Sequence, residues 1–177
     1  MLTLTTAPTL SPVTTAEAKQ HARIFSGFTT DDSYVAELVA AASFKFEDES
    51  GYLLRQATYT WEPASGLGVE MKLPVRPYIA DSLAIEDDGN ALVVDTDYTV
   101  AVDTKGVVTV TFTVTPTEPS FEFDAGYEAA ADVPALAKLA IKTLVAHWYN
   151  NREAFAEKTL GPVAATWESV VRNFRMA

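Results

Sequence analysis

The chain has 177 residues, 48% hydrophobic and 21% charged, with 13 Lys and Arg against 24 Asp and Glu, for a formal net charge of -11. This composition suits one globular domain, or one domain with an insertion. It excludes disulfide frameworks and thiolate metal or redox chemistry, because cysteine is absent. An isoelectric point near 4.5 argues against tight nonspecific binding to a phosphate backbone. The longest uncharged apolar run, Leu38–Phe44, is far short of a bilayer span, and no positive side chain precedes Lys19, so neither a membrane segment nor a signal peptide is expected.

Residues 1–12 are rich in Thr and Pro and carry no charged side chain, which predicts an extended arm. Residues 13–54 predict the first helices. Thr14 precedes Glu17 by three, the spacing at which hydroxyl and carboxylate satisfy each other's backbone N–H at a helix start, and a short helix is placed over Thr15–Ile24. A second helix is placed over Asp32–Ser50. Its Val35, Leu38, Val39, Ala42 and Phe46 step by three and four, and Gly51 is a natural stop.

Over residues 55–124 the period falls to two and β-branched and aromatic residues multiply. Strands are predicted at Thr58–Trp61, Val69–Leu73, Ser82–Glu86, Tyr98–Val102, Val107–Val114 and Ser120–Phe123. Asp87–Asn90 and Asp103–Gly106 have turn chemistry. An antiparallel sheet or small sandwich follows. Residues 125–177 return to helix: Asp132 is the expected cap, Pro134 stands in the first turn, and Leu136 to Trp148 are apolar on more than one face. A connector with a short helical turn lies between Asn151 and Gly161. Val163–Phe174 is a final amphipathic helix with Val163, Trp167, Val170, Val171 and Phe174 on one side. The predicted class is α+β: N- and C-terminal helices share one bundle, and an antiparallel β insertion lies between them.

Signatures of catalysis are missing. There is no Walker A run, no nucleophile elbow and no His-Glu-x-x-His, and Gly66-Leu67-Gly68 lacks a third glycine. Glu17 and His21 read as an ordinary helical pair, and His147 as a packed ring without an accompanying nucleophile. Asp87–Asn90 and Asp95-x-Asp97 lack the spacing of a calcium loop. No catalytic, cofactor or metal site is expected. Glu47-Asp48-Glu49, at the unfavourable negative end of a helix, is either a solvated end or a patch for a basic neighbour.

Three stretches carry a resemblance: Ala125-Gly126-Tyr127, Asp132-Val133-Pro134, and Leu144-Val145-Ala146-His147-Trp148-Tyr149-Asn150-Asn151-Arg152-Glu153-Ala154. Together they resemble the C-terminal signature of the tailed-bacteriophage head–tail connector (adaptor) family. Val13–Lys19, Asp31-Asp32, Leu54–Trp61 and Leu73–Pro77 resemble its opening helices and first strands, whereas the long β insertion and Phe25-Ser26-Gly27-Phe28 depart from its pattern.

The resemblance implies a non-enzymatic virion protein of the neck at the portal vertex, present in the host cytoplasm during assembly. Its implied partners are further copies of itself in a twelvefold ring, the portal protein, and the next connector or tail-completion protein. DNA would pass along the axis unbound, and an acidic wall suits that. Trp148, Tyr149, Asn151, Arg152 and Glu153 are the implied structural signature or oligomer interface. Trp167, Arg172, Phe174 and Arg175 are the portal-docking candidates. Two other readings are open: a tail-side neck or tail-completion protein, and a small ligand-binding or hydrolase module around His147.

Overall fold

The computed structural model describes residues 1–64, 67–104, 106–151 and 161–175. The fold is α+β, in two compact units: a sheet unit of Met1–Thr9 with Arg55–Glu128, and a helical unit of Leu10–Leu54 with Ala129–Ala177.

The helical unit contains α1 (Thr15–His21), α2 (Asp32–Ser50), α3 (Ala135–Asn150) and α4 (Gly161–Phe174). α1 starts with the predicted reciprocal cap: Glu17 N donates to Thr14 Oγ1 at 3.2 Å, and Thr14 N to Glu17 Oε2 at 2.7 Å. It stops at His21, three residues before the expected end. α2 has the predicted bounds and ends at Gly51, whose φ of 66° is left-handed. Val35, Val39, Ala42 and Phe46 are buried as the periodicity requires, and Leu38 lies at the edge of the stripe, half-buried. α2 packs against α1, α3 and α4, and α3 also packs against α1 and α4.

The start of α3 corrects the sequence reading. Asp132 does not cap it; Pro134 holds the cap position with ψ 130°, and no side chain caps the helix. This extended proline delays the first turn to Ala135, leaving Asp132 two residues too early to reach the orphan N–H groups. The helix carries apolar residues on several faces, but only the Ala137, Ala140, Ile141, Leu144, Val145 stripe is buried; Leu136 and Leu139 are exposed. The predicted turn between Asn151 and Gly161, with Arg152 and Glu153, lies outside the described residues.

The sheet unit has eight strands: β1 (Leu2–Thr6), β2 (Ala57–Trp61), β3 (Glu70–Lys72), β4 (Ala84–Asp87), β5 (Asn90–Ala91), β6 (Tyr98–Val102), β7 (Val108–Phe112) and β8 (Pro119–Ala125). All pairs between them are antiparallel, in a five-stranded sheet ordered β1-β2-β8-β4-β5 and a three-stranded sheet ordered β3-β7-β6. Six strands fall where alternation predicts them, and two are additional. The N-terminal stretch is extended, but Leu2–Thr6 is an edge strand paired with β2 rather than an unpaired arm. Its five side chains are exposed, so backbone pairing, invisible to composition, holds it.

β8 is central because both its edges are taken, by β2 and β4. Its Phe121, Phe123 and Ala125 face inward at period two and are fully buried. Phe121 meets Trp61 of β2 and, edge-on, Phe112 of the second sheet. Such ring pairs add about 0.5–1.5 kcal/mol beyond burial. Gly126 closes the strand at φ 105°, and a Cβ there would lie 2.2 Å from the Arg55 carbonyl oxygen. Only glycine fits this approach.

Two acidic side chains close their own turns: Asp97 accepts Val93 N–H at 2.7 Å and Asp103 accepts Val107 N–H at 2.8 Å. Asp87, at the head of the Asp87–Asn90 turn, instead reaches a distant loop, accepting the Thr117 and Glu118 N–H groups at 2.9 and 2.7 Å. Among the described residues no cluster of three or more His, Asp or Glu side chains can hold a metal ion. Among them, too, no helix is long and apolar enough to cross a membrane.

Candidate interaction surface

Two features of the helical unit stand out. The first is the loop between α1 and α2. Lys19 is buried on α1, 5% exposed, and its ammonium donates to the Ser26 and Phe28 carbonyls at 3.2 and 2.7 Å and to Asp32 at 2.6 Å. A buried ammonium needs all its protons satisfied, and here they fix the backbone of the loop. Phe25 stays 77% exposed on that fixed loop, and Phe28 43%. The helical spacing of Lys19 gave no sign of this role.

The second is a cleft of about 650 Å³ bordered by the end of α2, the second half of α3, and α4. Leu144, His147 and Trp148 form one wall, and Lys45, Arg172 and Arg175 bring positive charge. Glu49 organises it. Its carboxylate accepts the Lys45 ammonium and the Trp167 indole N–H, the latter at 2.6 Å, while Arg175 Nε donates to the Glu49 carbonyl at 3.0 Å. Burial disfavours the Glu49 charge, yet the hydrogen bonds from Lys45 and Trp167 and the charges of Lys45 and Arg175 outweigh it and hold its pKa below 4.5. Glu47 accepts Leu54 N–H at 2.9 Å. Two of the three carboxylates in the Glu47-Asp48-Glu49 run thus have partners within the chain and are half-buried, and Asp48 is exposed.

The residues singled out in the sequence take different places. Tyr149, half-buried, donates to Asp31 at 2.7 Å and ties the end of α3 to the start of α2. Asn151 is exposed and its amide donates to the His147 carbonyl at 2.8 Å, terminating α3. Trp148 stands in the cleft wall. Of the α4 candidates, Trp167 is 7% exposed and meets Phe46 edge-on, and Phe174 is half-buried between Phe46 and Tyr52. Arg172 and Arg175 are exposed beside the cleft. The α4 candidates therefore divide into two inward aromatics and two outward cations. The Lys45–Glu49 pair was missed although its i,i+4 spacing is a local signal; the Glu49–Trp167 and Asp31–Tyr149 pairs, each 118 residues apart, have none.

No protein-family model matches the sequence, and no curated protein matches it. Solved structures do. A chain from the neck of an empty GTA particle computed with C6 symmetry superposes with a TM-score of 0.77 at 19% identity, covering 100% of this chain and 96% of that one. A chain from the virion of the native gene transfer agent gives 0.77 at 18%, and one from the native particle's neck computed with C12 symmetry gives 0.74 at 18%, with the same coverage. The chain therefore has, over its full length, the fold of chains found in gene transfer agent virions and their necks.

Proposed function

We propose that this chain is a structural protein of a virion neck: a head–tail connector that sits as a ring beneath the portal and joins the DNA-filled head to the next neck or tail component. The observation that carries the reading is the end-to-end likeness to chains of gene transfer agent necks. Cyclic symmetry of those particles supports a ring, and the acidic composition supports an axial passage to which DNA does not adhere. The reading requires neither catalysis nor a cofactor. Within α4, Trp167 and Phe174 support the helix from inside, and Arg172 and Arg175 are its exposed cations. Before meeting the portal, in the host cytoplasm, the subunit is expected to be monomeric at low concentration, since early ring closure would block ordered assembly.

Light scattering of the purified protein, alone and mixed with the portal protein of the same particle, tests this. The expected result is comigration with the portal at matching stoichiometry. A 19.2 kDa species that ignores the portal but binds the tail-side neck protein would move the chain to tail completion. One that ignores both would overturn the neck reading.

A further inference from the structure

Resting on the ring reading, we infer that successive copies join head to tail, the Val93–Asp97 loop of one copy seated in the basic cleft of the next. The cleft concentrates Lys45, Arg172 and Arg175 against Glu49 and Glu168 in a chain of net charge -11, so it is a positive site on a negative protein. What complements it is abundant on a second copy. Its wall also offers the half-buried Trp148, so the matching segment should carry apolar side chains beside its carboxylate.

The Val93–Asp97 loop has that combination. Val93 and Val94 are 57% and 51% exposed, and Asp95 is exposed next to them. The loop is fixed: Thr96 and Asp97 N–H groups donate to the Val93 carbonyl at 3.2 and 2.8 Å, Asp95 N–H donates to Tyr98 O at 2.8 Å, and the Asp97 carboxylate returns to Val93 N–H. Two adjacent valines held outward by a rigid loop bind without paying to order themselves. Asp95 adopts φ 64°, which turns the chain beside the two valines.

Because the two patches differ, the contact is heterologous, and a heterologous contact propagates into a closed ring when its rotation divides the circle. This accounts together for the cations gathered in one cleft, the exposed valines, and the cyclic symmetry of the similar particles.

The chain has no cysteine, so introduced thiols report one contact only. Asp95→Cys and Arg172→Cys are made as separate proteins and oxidised singly and mixed, at concentrations where light scattering shows the parent self-associating or bound to the portal. The expected result is a crosslinked dimer in the mixture and in neither protein alone. Charge reversal gives an independent readout. Asp95→Lys, and Arg172→Glu with Arg175→Glu, should each weaken association about tenfold at low salt, and mixing the two should restore it. A parent that associates while the mixed thiols stay monomeric, or while both reversals are silent, overturns this contact and leaves the ring reading intact. A parent that neither self-associates nor assembles on the portal overturns both.

Discussion

The helical and sheet units reach stability by different means. In the helical unit, polar side chains far apart in sequence tie helix to helix: Lys19 to the α1–α2 loop and Asp32, Tyr149 to Asp31, Trp167 to Glu49. In the sheet unit most long-range ties are backbone ladders, reinforced by ring pairs such as Trp61–Phe121 and Tyr59–Phe123 and by Asp87 accepting from the Thr117 and Glu118 backbone, while Asp97 and Asp103 serve their own turns. The difference follows from where backbone groups are satisfied. A helix satisfies its own interior, so packing helices together leaves side chains to fix their mutual register. A strand satisfies its backbone only through a neighbour, so pairing fixes register by itself.

Substitutions can break this contrast. The largest effect belongs to the sheet unit: Gly126→Ala adds a Cβ against the Arg55 carbonyl at a φ that alanine resists, and should cost about 3 kcal/mol or more. Urea unfolding followed through Trp61, the one tryptophan of that unit, reads it. A loss under about 1 kcal/mol would mean the strand end relaxes freely.

Next is the buried ammonium of the helical unit. Lys19→Met leaves two loop carbonyls and a half-exposed Asp32 without their donor, for an expected loss of about 1–3 kcal/mol. Hydrogen exchange should show the Ser26–Phe28 segment loosening while the sheet ladders stay protected. An unchanged exchange pattern there would deny Lys19 its organising role.

The smallest effect is a pH dependence. Because the folded pKa of Glu49 lies below its unfolded value, its contribution is present above about pH 4.5 and is lost as pH falls through the depressed folded value. Glu49→Gln should be less stable than the parent at neutral pH, and the gap should narrow in acid. No gap at any pH would show that a neutral acceptor for the Trp167 N–H, and not the charge, is what Glu49 supplies.

How much of this was legible depended on the range of the interaction. The bounds of α2, the Thr14–Glu17 cap, and six strands could be read because periodicity, capping and turn chemistry act between residues a few positions apart. The Asp132 cap failed within that same range, since the backbone of Pro134 decides where α3 begins and two candidate starts look alike in sequence. The candidate surface was only half legible. Arg172 and Arg175 stood out as late cations in an acidic chain, and helical periodicity already set Trp167 and Phe174 on the apolar side of α4, yet all four entered one set of docking candidates, of which the two aromatics face the core.

By itself the sequence determined the fold class, the order of the four helices and of six strands, and the buried face of α2, because each rests on near-neighbour spacing of apolar and capping residues. The tertiary structure alone decided that Leu2–Thr6 pairs with β2, that β8 is central, and that Glu49 meets Trp167 across 118 residues to shape the cleft. Those contacts exist only once distant segments have been brought together. Which pairs then form is settled by the competition of all segments for partners, which no local pattern encodes.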